Sequence, residues 1–191
     1  MGQEWEKYLN FRCTCCGNCC REPIVLITDE DIRRIQKLTE QPAAEIADFY
    51  APSDIEWGLD NPGWIELDTG WHIMALVRKE DGCQYLGEDN LCGIYENRPV
   101  TCRRYPFDVE FDTDGELSLL GINDSVECPY ELDGKYEKQK IKALVEWEDA
   151  EEQPYFKIVD AWNKRKKPGD ASQFLAHLDV ELKGRREVVK S

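Results

Sequence analysis

The chain has 191 residues, which is enough for one domain with a sizeable core and too few for two ordinary independent folds. Its 39 acidic and 24 basic residues leave a net charge of −15, which would repel nucleic-acid phosphates, so we expect no nucleic-acid partner. With 41% hydrophobic and 33% charged residues, the composition is that of a globular protein and excludes a disordered or fibrous one.

No part of the sequence resembles a membrane anchor or a secretion signal. No run approaches the roughly 20 consecutive apolar residues that a membrane-spanning helix needs. The first residues lack the order of basic and then apolar residues that is typical of a signal peptide. We therefore expect a cytoplasmic protein that does not contact a membrane.

Two short elements are predicted near the N-terminus. Residues 3–11 favour a short helix that ends at the first cysteines. The β-branched run 23–27 indicates a buried strand. Between them, Gly17 and Asn18 are typical of a turn within the cysteine-rich segment.

Two helices are expected after this strand. Thr28 precedes three acidic residues and predicts a helix N-cap. A second helix is predicted from 43 to 50, since Pro42 suits a first helical turn. The first of these helices should bury three apolar residues on one face, Ile32, Ile35 and Leu38.

Two β-hairpins are predicted in the middle of the chain. Residues 64–67 and 72–77 are strand-like and are separated by an Asp-Thr-Gly turn. Residues 107–111 alternate apolar and acidic side chains, and 116–120 supplies a partner across an Asp-Thr-Asp-Gly turn. The fold class that follows is α+β: a small metal-stabilised cysteine-cluster domain with two β-hairpins and short helices, plus C-terminal helices.

The C-terminal region is predicted to be helical. Residues 134–166 have helical periodicity that should break at Pro154. A basic linker, 164–170, leads to a last helix whose apolar residues are Phe174, Leu175, Leu178 and Leu182. We predict a cysteine-cluster metal-binding domain at 1–133 and a C-terminal helical extension packed on it at 134–191.

The nine cysteines are the most informative feature of the sequence. Five of them fall within eight residues, and the count is odd, which argues against a disulfide framework. In a reducing compartment, a bound cation is the usual reason for thiolates to cluster, so we expect a metal site. The nine are Cys13, Cys15, Cys16, Cys19, Cys20, Cys83, Cys92, Cys102 and Cys128.

The cysteine spacing suggests a division into two ligand sets. Two successive two-residue gaps allow Cys13, Cys16 and Cys19 to bind from one loop. A fourth ligand could come from Cys128, whose Cys-Pro sequence resembles that of ferredoxin-type clusters. Because adjacent side chains diverge, Cys20 is assigned to a second set, so two centres or one polynuclear centre are expected. The second set is Cys20, Cys83, Cys92 and Cys102, which leaves Cys15 as a free or indirectly acting thiol.

Basic residues flank one of these cysteines. Four thiolates around a divalent ion or an iron–sulfur core leave about two net negative charges, which guanidinium groups can offset by hydrogen bonding. Arg98 and Arg103 are predicted to do so from outside the ligand set, although ordinary surface arginines remain an alternative. His72 and His177 are expected to serve packing rather than ligation. The sequence leaves the catalytic residues, and whether the protein is an enzyme, undetermined.

The combined motifs resemble the YkgJ-type cysteine-cluster family, a CxxCxxCC zinc- or iron-chelating domain. The resemblance extends over roughly residues 10–130 and rests on Phe-x-Cys-x-x-Cys-Gly-x-Cys-Cys, Cys-x-Tyr-Leu and Cys-x-Ile-Tyr-x-x-Arg-Pro-x-x-Cys-Arg-x-Tyr-Pro. It implies seven ligands, Cys13, Cys16, Cys19, Cys20, Cys83, Cys92 and Cys102. The Cys-Pro argument adds Cys128 as an eighth, while Cys15 occupies a variable position.

Three functions are consistent with these observations. The first is a protein that binds an iron–sulfur cluster, such as a 4Fe-4S cluster, or two centres, with a redox or accessory role. The second is a structural zinc-binding interaction module, because a closed thiolate site leaves no open coordination position. The third is a methyltransferase-related enzyme, because flagellin lysine methylase has a similar cysteine pattern. A metal is the one partner expected, and the sequence identifies no protein partner.

Overall fold

The computed structural model describes residues 3–123 and 127–180. A 3₁₀ helix, Glu4–Asn10, takes the place of the helix predicted at 3–11, and a short one follows at Tyr95–Asn97. The α-helices are α1 Asn18–Arg21, α2 Asp29–Thr39, α3 Ala43–Ile46, α4 Val100–Arg104, α5 Lys138–Asn163 and α6 Ala171–His177. The strands are β1 Ala47–Tyr50, β2 Trp64–Leu67, β3 Gly70–Leu76, β4 Arg78–Lys79, β5 Gly82–Cys83, β6 Phe107–Phe111 and β7 Leu117–Ile122. The predicted α+β class is confirmed.

The largest sheet has the antiparallel order β1-β3-β2. Strands β2 and β3 form the predicted first hairpin, with Leu67 opposite Gly70. The predicted helix at 43–50 is wrong after its first turn, because the chain becomes extended and β1 pairs along β3, with Ala47 opposite Leu76. Aromatic residues in this stretch suit a half-buried strand better than a helix.

The predicted strand at 23–27 is reduced to a short sheet contact. Only Leu26 forms a bridge, to Ala75, although the N–H of Leu76 donates to the carbonyl of Val25 at 2.9 Å. Val25 and Ile27 are nevertheless buried, as the apolar run implied. The segment therefore covers the edge of β3 just before helix α2 begins.

Helix α2 begins at the predicted N-cap. Thr28 and Asp31 form a capping box, in which each side chain bonds the backbone N–H of the other residue. Ile32 and Ile35 are fully buried, but Leu38 is 49% exposed, so its predicted burial is wrong. The helix ends one residue after Leu38, and its buried face therefore extends over two turns rather than three.

Helix α5 is continuous across Pro154, contrary to the predicted break. A proline removes one helical hydrogen bond, but packing on both sides can offset that loss. Ile141, before the proline, belongs to one apolar cluster, while Val159 and Trp162, after it, belong to another. No helix within residues 3–123 or 127–180 is long and apolar enough to cross a membrane.

Two apolar clusters form the core. The larger one joins the three-stranded sheet with α2, α3, α5 and α6, and the rings of Trp162 and Phe174 meet edge to face at 5.2 Å. Phe174, Leu175 and Leu178 are buried as predicted, whereas Leu182 lies outside the described residues. Both clusters combine residues from before and after position 133, and the domain boundary there stays a prediction.

The smaller cluster is built on the second predicted hairpin. Strands β6 and β7 pair with Phe107 opposite Ile122 and a register shift at Glu110/Phe111. Phe107 also packs on Phe11 from the N-terminal segment, with their ring centres 5.1 Å apart. The N-terminal cysteines therefore follow directly after a residue that is anchored in this cluster.

Candidate metal centre

The N-terminal cysteine loop turns sharply at Gly17. This glycine has a φ of +80° and precedes the single turn of helix α1. The turn places Cys19 and Cys20 on the same short helix, with their sulfur atoms 3.9 Å apart, so the expected divergence of these adjacent side chains is wrong. Cys15 is exposed, and its backbone N–H donates to the sulfur of Cys13 at 3.3 Å.

Cys83 reaches this loop because strand β5 passes close to helix α1. The residue before it, Gly82, has a φ of +129°, and a Cβ atom there would lie 2.4 Å from the carbonyl oxygen of Cys20. Only glycine permits this approach of two backbones. Cys83 was predicted as a ligand from the sequence, but the requirement for glycine at position 82 was not predicted.

Cys92 and Cys102 are held by two further contacts. Cys92 forms a bridge to Leu86, which folds the intervening loop back on itself. Cys102 lies on helix α4, where the N–H of Val100 donates to the buried carboxylate of Asp31 at 3.2 Å. The N-cap of α2 was predictable from the sequence, whereas the contact of Asp31 with α4 was not, because it joins residues that are far apart in the chain.

The remote Cys128 is brought to the N-terminal loop by hydrogen bonds on both sides. The side chain of Asn18 donates to the carbonyl of Glu127 at 2.8 Å, and the hydroxyl of Thr14 donates to the carbonyl of Pro129. Arg12 and Glu131 exchange backbone hydrogen bonds one step further along. These few polar contacts therefore bring Cys128 next to cysteines that lie more than a hundred residues earlier in the chain.

All nine cysteines line one cavity of about 230 Å³. The eight predicted ligands therefore lie around the same space, together with Cys15. Each of the nine is a free thiol. In the described part of the chain, no three Cys, His, Asp or Glu side chains converge closely enough to surround a single ion as they stand. Rotation of the thiol side chains toward a common centre is therefore part of any proposal for metal binding.

One group of thiols surrounds Cys128. Burial, together with the nearby thiols of Cys16, Cys13 and Cys19, raises the pKa of Cys128 to about 11. Burial also raises the pKa of Cys13. These four cysteines are the first set that the sequence spacing suggested. Positive charge, a metal ion above all, would favour their thiolate forms.

A second group surrounds Cys102. Burial raises the pKa of Cys102 well above the usual thiol value, and the thiols of Cys83, Cys19 and Cys92 add to this. Burial raises the pKa of Cys83 as well, and the neighbouring Cys92 adds to this. Apart from Cys19, these residues belong to the second predicted set.

A hydrogen bond between the sulfur atoms of Cys19 and Cys20 links the two groups of cysteines. Donation from the Cys20 thiol lowers the pKa of Cys19 to about 7, and the charge of Arg98 also lowers it. The same contact raises the pKa of Cys20, as do burial and the neighbouring Cys83 and Cys102. When the Cys20 thiol is the donor, this contact favours the thiolate form of Cys19.

The predicted arginines differ in what they contact. The guanidinium of Arg98 stacks 4.1 Å from the ring centre of Tyr95, and its Nε atom is buried without a hydrogen-bond partner among the described residues. Arg103 instead donates to the carbonyls of Arg98 and Glu96 and therefore braces the loop that carries Arg98. The free Nε–H of Arg98 is available to donate to a sulfur atom at the cavity wall, whereas Arg103 holds the loop that carries Arg98 in place.

Tyr105 adds a second unpartnered donor to the cavity wall. Its hydroxyl is buried and has no hydrogen-bond partner in the described residues. Burial and the nearby thiols of Cys128, Cys19 and Cys16 raise its pKa, so the hydroxyl keeps its proton. Tyr105 was not among the predicted site residues, although it belongs to the Cys-Arg-x-Tyr-Pro motif of the sequence.

The two histidines lie elsewhere. A ring nitrogen of His72 is 3.0 Å from the carbonyl oxygen of Gly70, and the ring of His177 lies 5.4 Å from that of Trp162. Neither lines the cysteine cavity. These positions agree with the packing role expected for both residues.

Taken together, the small α+β fold and the cavity lined by cysteines define a thiol-rich metal-chelating class of protein. The family model CxxCxxCC, described as "Putative zinc- or iron-chelating domain", matches residues 12–119. The chain therefore belongs to the CxxCxxCC family, as the motifs indicated. Neither the curated proteins nor the solved structures contain a significant match to this chain.

Proposed function

We propose that the protein binds an iron–sulfur cluster, or two centres, through up to eight cysteine thiolates and serves a redox or accessory role. The observation that carries the proposal is the shared cavity of about 230 Å³, in which thiols form two groups around a space larger than one ion. A polynuclear centre, or two centres, would occupy such a space more fully than a single ion.

The proposed ligands follow the two groups. Cys13, Cys16, Cys19 and Cys128 would hold one centre, and a second set would hold the other. That second set is Cys20, Cys83, Cys92 and Cys102. The electrostatic neighbours of Cys128 support the first set, and those of Cys20 support the second, while Cys19 lies near both Cys128 and Cys102.

Two unpartnered donors also support an anionic centre. The Nε atom of Arg98 and the hydroxyl of Tyr105 are buried at the cavity wall without partners in the described residues. Buried donors normally find an acceptor, and the sulfur atoms of a cluster would provide one. An iron–sulfur centre supplies one-electron transfer when bound, and hydrogen bonds to its sulfur atoms tune the reduction potential.

Zinc is the second candidate, and one distance favours it. The sulfur atoms of Cys19 and Cys20 are 3.9 Å apart. Tetrahedral zinc with bonds of about 2.3 Å holds sulfur atoms roughly 3.8 Å from one another. In that case the metal would stabilise the loops, and the protein would be a structural interaction module.

Elemental analysis and an absorption spectrum of protein purified without oxygen distinguish the two metals. We expect about four or eight irons per chain with matching sulfide, and a broad band near roughly 400 nm. About one or two zinc ions without colour would replace the iron–sulfur proposal with the zinc one. Protein that retains neither metal, and takes up neither after reduction of its thiols, would exclude both.

We also propose that the protein acts in the cytoplasm. The support is chemical, because nine free thiols persist in a reducing compartment and would be oxidised in a secretory one. A reporter fusion together with thiol labelling in intact and lysed cells tests this point. Labelling of Cys15, which is exposed, before lysis by a membrane-impermeant reagent would contradict it.

A further inference from the structure

A second cavity, separate from the cysteine cavity, lies beside helix α5. Its volume is about 680 Å³, within the range of about 300–1,000 Å³ that is usual for small-molecule sites. Apolar side chains from the 23–27 segment, strand β3 and the 54–63 loop form much of its wall. Neither the family match nor the proposed metal centre assigns a role to this cavity.

The charged groups of this cavity are strongly unbalanced. Its lining includes five carboxylates and a single guanidinium, that of Arg104. Arg104 is already committed, since it pairs with Glu148 and donates to the carbonyl of Phe107 at 2.8 Å. Glu152 has no ion-pair partner among the described residues and is partly buried. The cavity therefore presents a carboxylate that lacks a cation.

Tyr155 provides an independent sign of a missing ligand. The residue is 3% exposed and lines the cavity, and its hydroxyl has no hydrogen-bond partner in the described part of the chain. A buried hydroxyl without a partner is unusual in a folded protein. Glu152 and Tyr155 are three residues apart on α5, so their side chains are neighbours on one helix face.

The remaining wall favours an organic cation over a metal ion. Aromatic rings of Trp57 and Phe156 line the same space, and aromatic faces attract cations while they cover alkyl chains. Thr101, next to Cys102, belongs to the walls of both cavities.

We propose that this cavity binds a small alkylammonium ligand, with its ammonium group between the Glu152 carboxylate and the Tyr155 hydroxyl and its alkyl chain against the aromatic wall. An ammonium group has three donors, so it can satisfy the carboxylate and the hydroxyl together. The proposal goes beyond the metal centre and holds for either metal.

Calorimetric titration of the full-length, metal-loaded protein with n-hexylamine at neutral pH tests the proposal. The amine is then an ammonium ion, and n-hexanol serves as the neutral probe of similar shape. We expect saturable binding of hexylamine and at least about tenfold weaker binding of hexanol, because the charged hydrogen bonds are absent. No saturable binding of hexylamine, or equal binding of the two probes, would overturn the proposal.

Matched variants locate the site. Glu152→Gln should weaken hexylamine binding by about tenfold and Tyr155→Phe by roughly threefold, while binding of hexanol stays the same. Glu146→Gln makes the same charge change at an exposed position of α5 outside the cavity, and it should leave the affinity unchanged. Equal losses in the two Gln variants would indicate only general attraction to an acidic surface and refute the assignment.

Circular dichroism and thermal melting show whether each variant is folded. If Glu152→Gln is unfolded, Tyr155→Phe together with the hexanol comparison still decides the question. Unaltered hexylamine affinity in a folded Tyr155→Phe variant would remove the hydroxyl from the proposed site.

Discussion

Asp31 accepts a hydrogen bond from the backbone N–H of Val100 at 3.2 Å, which joins the first turn of helix α2 to the first turn of helix α4. The same carboxylate closes the capping box with Thr28 and pairs with Arg34. Because Cys102 lies two residues after Val100, one buried carboxylate sets the position of a proposed ligand.

Replacement of this carboxylate should weaken the fold and the metal centre together. Asp31→Ala removes the cap, the bond to Val100 and one partner of a partly buried arginine, so we expect a loss of about 3 kcal/mol in the free energy of unfolding. Urea titration of the metal-loaded protein measures it. Glu30→Ala, at an exposed neighbouring position paired with Arg33, should cost less than about 1 kcal/mol. Similar losses in both variants would contradict the role given to Asp31.

Gly82 should be more sensitive to substitution than another glycine with comparable backbone geometry. A Cβ atom at Gly82 would lie 2.4 Å from the carbonyl oxygen of Cys20 and 2.8 Å from the Cα of Arg21. These are backbone atoms, so Gly82→Ala must separate strand β5 from helix α1. We expect a loss of about 2–4 kcal/mol in stability and a lower metal content per chain.

Gly70→Ala is the matched control for this prediction. Gly70 has a φ of +112°, but nothing lies within 4 Å of its added Cβ atom. Gly70→Ala therefore introduces backbone strain but no steric clash. We expect it to lower the free energy of unfolding by about 1 kcal/mol and to leave the metal content unchanged. Equal destabilisation of both variants in urea would show that strain alone matters and that the close approach of β5 does not.

The sequence predicted local features of the fold well. The N-cap at Thr28 and both hairpins were readable, because each depends on residues that are close in the chain. Strand β1 was missed because it forms by pairing with β3, more than twenty residues away. The break expected at Pro154 failed for a related reason, since distant packing on both halves of α5 outweighs one lost hydrogen bond.

The candidate site follows the same distinction. The spacing of the N-terminal cysteines pointed to ligands on one loop, and the Cys-Pro pair pointed to Cys128. The contacts that bring Cys128 to that loop, from Asn18 and Thr14 to backbone carbonyls, have no sequence signature. The sequence likewise did not indicate that Glu152 and Tyr155 belong to one site. Only the folded structure places both residues on the wall of the cavity beside α5.

Cysteine variants should separate ligands from the one thiol left outside both sets. Cys128→Ser and Cys102→Ser should each lower the metal content by about half, since each removes a ligand from a different proposed centre. Cys15→Ser should keep the full content, because Cys15 is exposed and belongs to neither set. Metal analysis after anaerobic purification provides the numbers. A loss in Cys15→Ser as large as that in Cys128→Ser would refute the proposed division.

The stability of the protein should decrease as the pH rises toward neutrality because of Glu152. Burial, followed by the charges of Glu148 and Asp149, raises the pKa of Glu152 from 4.5 to about 7, and Arg104 offsets only part of this. Asp31, on the facing helix α2, also raises it. Between these values the folded state holds a proton that the unfolded chain releases, so stability is lost as the pH rises.

Glu152→Gln tests this effect without the metal as a confounding variable. The side chain of the variant cannot ionise, so the difference in unfolding free energy between variant and native protein should grow by about 1–2 kcal/mol from about pH 5 to about pH 8. Acid release of the metal affects both proteins alike and cancels in that difference. Glu146→Gln, exposed on the same helix, should show no such change. If the difference in unfolding free energy between Glu152→Gln and the native protein stays constant with pH, the Glu152 carboxylate is charged throughout the range. The absence of a counter-ion beside it would then carry no energetic penalty.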